Sequence, residues 1–98
     1  VGACGGADPD RVARLEVVVP AGTGARLDAG EPVELIPRTV KLVVGGRLVI
    51  ENRDDRTHIV GPFSVRAGET VDKVFDESGR YQGACTIHPA GEVTIDVR

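Results

Sequence analysis

Short runs of alternating apolar and polar residues, cut by glycine and proline, constrain this chain more than any other feature. Leu15, Val17 and Val19 alternate with Arg14, Glu16 and Val18. Val40, Leu42 and Val44 share one face of 39–44, and Leu48 and Ile50 share one face of 47–51. Val93, Ile95 and Val97 alternate with Thr94, Asp96 and Arg98. A period of two residues sends successive side chains to opposite faces, which suits a half-buried strand and not a helix. Valine is the commonest apolar residue, and the aromatics are only Phe63, Phe75 and Tyr81. Branched side chains fit a pleated surface, so composition and period agree.

The punctuation sets the turns. The segment 12–19 is a strand, and 20–32, with three glycines and two prolines, is a loop. A short strand at 33–36 stops at Pro37. Gly45-Gly46 turns the chain between 39–44 and 47–51 as a hairpin would. A strand opens at His58, breaks at Gly61-Pro62 and resumes at 63–65. The triplet Ala67-Gly68-Glu69 turns into a strand at 71–75, and Glu77-Ser78-Gly79 into another at 80–85. The strand over 93–97 ends the chain, with Asp96 facing outward. Seven or eight short strands without a helical pattern imply an all-β Greek-key sandwich.

The 98 residues suffice for one domain, assigned to 11–98. A net charge of −3, with arginines scattered among carboxylates, argues against nucleic acid as a partner. No stretch reaches the ~20 apolar residues of a membrane span. Residues 1–10 read as a leader or tether. Val1-Gly2-Ala3-Cys4 resembles a bacterial lipobox, in which Cys4 is lipidated and anchors the domain outside the cytoplasm. The competing readings of 1–4 are a cloning remnant, a plain flexible terminus, or a Cys4–Cys85 disulfide of an oxidising compartment.

The chain has two histidines and two cysteines, and His58, Cys85 and His88 carry its chemistry. Cys85-Thr86-Ile87-His88 closes a strand, so thiol and imidazole share one loop. A thiolate with two imidazoles is the in-plane donor set of a blue-copper site. Alone, Cys-x-x-His is equally a buried cysteine and a surface histidine, and a lone His58 beside Ile59 and Val60 is equally structural. Asp54 and Asp55 read as solvated charges of a polar turn, with Asp54 bracing the loop before His58. Ser64 and Ser78 have no histidine constellation around them, which argues against nucleophilic hydrolysis. Two histidines are too few for an oxygen-reducing multicopper site, and a catalytic zinc site with an open position is the weaker metal reading.

From about Leu35 to Arg98 the chain resembles the cupredoxins, above all small bacterial plastocyanin- and amicyanin-type domains. The match runs through Ile36-Pro37-Arg38-Thr39-Val40, Val44-Gly45-Gly46-Arg47-Leu48-Val49-Ile50-Glu51-Asn52-Arg53-Asp54 and His58-Ile59-Val60. It continues through Ala67-Gly68-Glu69-Thr70, Phe75, Gly79-Arg80-Tyr81 and Cys85-Thr86-Ile87-His88-Pro89. The resemblance implies a β-sandwich with a type 1-like copper at one end, held by His58, Cys85 and His88. It also implies extracytoplasmic electron transfer by a non-enzymatic monomer that meets a redox partner protein.

Two departures qualify it. Ile59 stands where members of the family often carry asparagine. The chain has no methionine, the usual weak axial ligand, and the loop after His88 is about two residues short. The site is then three-coordinate, or takes Glu92 as its axial ligand, or has lost copper. The alternative function is a non-redox copper-sequestering domain or a metal-free interaction module.

Overall fold

The computed structural model describes residues 10–98. Cys4, the lipobox at 1–4 and all but the last residue of the 1–10 tether lie outside them. Among the described residues there are seven strands and one short helix. In chain order they are β1 (Val12–Val19), α1 (Thr23–Asp28), β2 (Thr39–Asn52), β3 (His58–Val60), β4 (Phe63–Val65), β5 (Thr70–Phe75), β6 (Gly79–Ala84) and β7 (Glu92–Val97). The all-β sandwich expected from the alternation is the observed fold class. No described helix is long and apolar enough to cross a membrane.

The long strand β2 organises the rest. Its first residues pair parallel with β7, from Thr39 opposite Thr94 to Leu42 opposite Val97. Its second half pairs parallel with β1 and antiparallel with β5. β6 extends the sheet beyond β7, and β3 with β4 forms a separate antiparallel pair. A single strand shared by two sets of partners wraps the sheet around one core.

The Gly45-Gly46 hairpin is therefore corrected to a bulge inside one strand. Val12 lies opposite Leu42 but Arg14 lies opposite Arg47, so β2 carries extra residues between these pairs. Gly45 absorbs the kink at φ 86°, and a Cβ on Gly46 would stand 2.7 Å from the Val43 carbonyl oxygen. Glycine here bends a strand without reversing it.

Two further expectations are corrected. The 20–32 loop contains α1, too short to show a helical period. It ends on Gly30 at φ 77°, with Gly30 N–H on the Leu27 carbonyl and Glu31 N–H on the Arg26 carbonyl. That double bond is a Schellman stop. Residues 33–36 are no strand: Val33 and Ile36 are buried, but the backbone bond there is Leu35 N–H to the Ile87 carbonyl. Pro32 and Pro37 bracket a segment too short to build a ladder.

The inward faces meet as expected. Val17, Val19, Val40, Leu42, Leu48, Ile50, Val60, Val65, Val93, Ile95 and Val97 pack into one core with Cys85 and Ile87. Fully burying a side chain of this size stabilises by roughly 1.5–3 kcal/mol. Phe75 closes one side, 6.2 Å edge-on from Phe63 and 5.4 Å from Tyr81. Asp96 breaks the alternation: it is only 5% exposed, not outward-facing. Its carboxylate turns to Arg11 at 3.2 Å and Arg98 at 3.3 Å.

Candidate metal centre

The site begins where β2 ends. Asn52 is buried, and its Nδ2 donates to the carbonyls of Arg56 at 2.8 Å and Val65 at 3.0 Å. Its Oδ1 accepts the Asp54 N–H at 2.9 Å. These three bonds coil 53–57 into a tight loop and turn Asp54 inward. Asp55 is exposed as a loop charge should be, but Asp54 is only 4% exposed, which corrects its reading as solvated.

A carboxylate tolerates such burial only when its oxygens are satisfied. Asp54 Oδ1 accepts the Gly22 N–H at 3.2 Å, and Oδ2 accepts the Gly24 N–H at 2.8 Å. Oδ2 also lies 2.7 Å from His58 Nε2. The hydrogen bond to His58 is the largest cause that brings the Asp54 carboxyl down to about 2. Burial opposes it, and the N–H groups of Asp55, Gly24 and Gly22 reinforce it. Asp54 is thus an ionised acceptor at neutral pH.

That fixes the state of His58, which is 1% exposed at the start of β3. Facing an acceptor, Nε2 must carry a proton. In the neutral ring Nδ1 is then the lone-pair nitrogen. It lies 3.0 Å from Thr86 Oγ1, which also accepts the Ile59 N–H at 3.1 Å. Thr86 follows Cys85, so Nδ1 looks onto the cysteine loop.

Cys85, just past the end of β6, is a buried free thiol, bridged across to Val60. Burial pushes the thiol up, and the Ile87 N–H pulls it partly back. Cys85 N–H to the Gly91 carbonyl at 2.9 Å closes the loop 85–91, and Ile87 anchors it in the core. His88 is half-buried on that loop, and its Nδ1 accepts the Ala90 N–H at 3.0 Å. Glu92, the axial candidate, is exposed and held outward by Arg38 at 2.6 Å.

The structure thus brings His58 against the residue next to Cys85, keeps His88 on the same loop and turns Glu92 away. No three His, Cys, Asp or Glu side chains among the described residues gather as a group able to hold a metal ion. In this geometry His88 Nδ1 accepts the Ala90 N–H, and His58 Nδ1 lies at hydrogen-bond distance from Thr86 Oγ1.

Sequence reasoning missed Thr86 and Gly83. Thr86 looks like any loop threonine until the chain folds. Gly83 lets β6 cross the Gly61 turn, since a Cβ there would lie 2.9 Å from Gly61 backbone atoms. Gly61 N–H reaches the Ala84 carbonyl at 2.7 Å across that contact. The side chain of Gly83 would face the β3–β4 pair, so its glycine was readable only as a strand oddity.

No family model matches the chain. No curated protein matches it in sequence. Solved structures do resemble it. A purple cupredoxin from Nitrosopumilus maritimus superposes with a TM-score of 0.53 at 21% identity, over 85% of this chain and 98% of that one. A methionine-to-alanine mutant of amicyanin, described with Cu(I), gives 0.53 at 17% identity over 89% and 84%. A proline-to-glycine mutant of amicyanin, in its reduced Cu(I) form at pH 4, gives 0.50 at 18% identity over 94% and 85%. The chain has the cupredoxin fold.

Proposed function

We propose that this chain binds copper through Cys85, His58 and His88 and works as an electron carrier. The observation that carries the reading is the Asp54–His58 hydrogen bond. Histidines that ligate metals characteristically donate their other N–H to a carboxylate or carbonyl. Here Nε2–H is spent on Asp54, and the basic Nδ1 faces the cysteine loop. The donor set of one thiol and two imidazoles suits copper. Burial favours the protonated thiol and the Ile87 N–H offsets that only in part, so a bound metal would have to draw the thiolate out.

To ligate, each imidazole gives up one exchangeable hydrogen bond. Thr86 can turn its hydroxyl to the Ile59 carbonyl at 3.4 Å, and the Ala90 N–H sits in an exposed turn open to water. Copper, when bound, supplies the one-electron chemistry. Cys85 stays away from solvent while half-buried His88 leads outward. The absence of methionine is compatible with this reading, since one neighbour is described with Cu(I) after losing one. In this proposal the protein is a monomeric carrier, not an enzyme, acting outside the cytoplasm with a redox protein as its partner.

One observation favours the alternative of a metal-free interaction module. Every buried side-chain nitrogen and oxygen among the described residues already has a hydrogen-bond partner. The fold needs no ion to satisfy them.

Titrating the pure protein with Cu(II) separates the two. A carrier develops an intense thiolate-to-copper band and a copper paramagnetic signal, both lost in Cys85→Ser. Reversible reduction then distinguishes a carrier from a sequestering domain. A protein that stays colourless and binds no copper sinks the proposal.

A further inference from the structure

Outside the candidate metal centre, β1 leaves a strand edge open. We infer that β1 is a self-association edge: two copies of the chain pair their β1 strands antiparallel about a two-fold axis at Leu15, in a weak dimer that forms as concentration rises. The monomeric carrier proposed above is then the dilute form. β1 carries none of the candidate metal ligands, so the inference is independent of copper.

The edge comes first. β1 has β2 as its only strand partner among the described residues. Half of its N–H and C=O groups therefore point away from the sheet, and such a row is a template for another strand. Natural edges are blunted by proline, by lysine, by inward charge or by shortness. β1 has eight residues, with no proline and no lysine, and its inward face is Ala13, Leu15, Val17 and Val19. β5, an edge on the other side of β2, is blunted: Lys73 lies opposite buried Leu48 and so shares its inward side.

The outward face of β1 is self-complementary. It presents Val12, Arg14, Glu16 and Val18, all exposed. Antiparallel pairing centred on Leu15 sets Val12 against Val18 of the second copy and Arg14 against Glu16 of the second copy, and the two-fold axis repeats both contacts. Val12 and Val18 are two of the five exposed large apolar residues among the described ones. Within one chain Arg14 meets Glu16 through Nε, at 3.0 Å, which leaves the terminal guanidinium nitrogens to reach a second carboxylate.

The same residues reject the neighbouring registers. Centring the pair on residue 14 sets arginine against arginine, and centring it on 16 sets glutamate against glutamate. A slip of one residue puts the outward face of one strand on the inward side of the other. Centring on Leu15 also lays Leu15 of the second copy over a groove of about 330 Å³ beside β1, lined by Val12, Leu15, Pro37 and Val40 among others. Leu15 is only half-buried in the single chain, so the dimer removes further apolar surface from water. One strand pair is small against the ~1,200–2,000 Å² of a stable interface, hence the weak affinity.

Sedimentation of the full chain from micromolar to millimolar concentration tests this, without added copper and under reductant so that no disulfide links the copies. The wild type should pass from monomer to dimer. Arg14→Glu and Glu16→Arg each set like charges opposite one another twice, and each should weaken the dimer by roughly tenfold or more. An equal mixture of these two variants should dimerise again, because each offers the other the opposite charge at both places. The double variant R14E/E16R should dimerise like the wild type. These side chains are exposed, so the substitutions leave the fold intact. Amide exchange should slow along β1 as concentration rises, and not along β5. A wild type that stays monomeric at millimolar concentration overturns the inference and leaves this edge to a strand of another protein. A dimer that both single variants keep, a mixture that stays monomeric, or a dimer whose β1 amides exchange as freely as the monomer's overturns it as well.

Discussion

Among the described residues two carboxylates, Asp54 and Asp96, are buried, and on different terms. Asp96, on β7, meets two permanent cations, Arg11 at 3.2 Å and Arg98 at 3.3 Å. Burial alone would raise its carboxyl, but the Arg11 hydrogen bond and the charges of Arg98, Arg11 and Arg80 outweigh it and bring it below the ordinary range. Arg11 also holds the carbonyls of Leu42 and Asp96, at 3.1 and 3.0 Å, and so ties the start of β1 to β2 and β7. Among the described residues Asp54 has no ion pair with an arginine, although the nearby Arg56 feels its charge. Its partners are backbone N–H groups and an imidazole. A carboxylate held by guanidinium groups serves to fasten strands. One held by a histidine that can change its other partner is built to hold that histidine in a chosen state.

Removing each carboxylate tests the contrast. Asp54→Ala strands three donors at once, each costing ~1–3 kcal/mol when buried and unpaired. We expect a loss on the order of 4 kcal/mol in urea denaturation. The same unfolding measured against pH should locate the carboxylate. A depressed carboxyl stabilises above its unfolded value and loses that contribution as pH falls. The wild type should therefore weaken from about pH 5 down toward the folded value of about 2, an acid limb that Asp54→Ala should flatten.

Asp96→Ala should cost less, about 3 kcal/mol, because Arg11 retains its two carbonyl acceptors. It should leave any copper spectrum unchanged. A spectral change there, or a smaller stability loss in Asp54→Ala than in Asp96→Ala, would break the comparison.

A third substitution asks whether the metal end also depends on close sheet contact. Gly83→Ala places a Cβ against the Gly61 backbone, and overpacking of this kind costs ~1–3 kcal/mol. Because Gly61 sits beside Val60, which bridges Cys85, the copper affinity should fall together with stability. The smallest effect is alkaline. Burial raises the Cys85 thiol, so its folded state favours the protonated form. Stability should be intact below the ordinary thiol range of about 8.5 and decline gently above it, and Cys85→Ser should remove that decline.

Most of the fold was legible because a half-buried strand writes its two faces directly into the order of residues. β1, β3, β4 and β7 lie where the alternation put them, to within a residue. What failed was decided by partners. Gly45-Gly46 is equally good as a hairpin or a bulge, and only the parallel neighbours on both sides of β2 choose the bulge. The helix α1 draws acceptors for its first N–H groups from Asp54, distant in sequence, so its own six residues did not announce it.

The candidate site divides the same way. The sequence by itself determined which donor atoms the chain owns, because a thiol and two imidazoles are properties of Cys85, His58 and His88. It also determined that Cys85 and His88 share one short loop. Only the tertiary structure decided which histidine nitrogen carries a proton, that Glu92 faces Arg38, and that Asp54 is buried while Asp55 is not. The reason is physical: protonation, tautomer and charge depend on what lies within hydrogen-bond distance. For His58 those neighbours, Asp54 and Thr86, are assembled by folding from two separate loops.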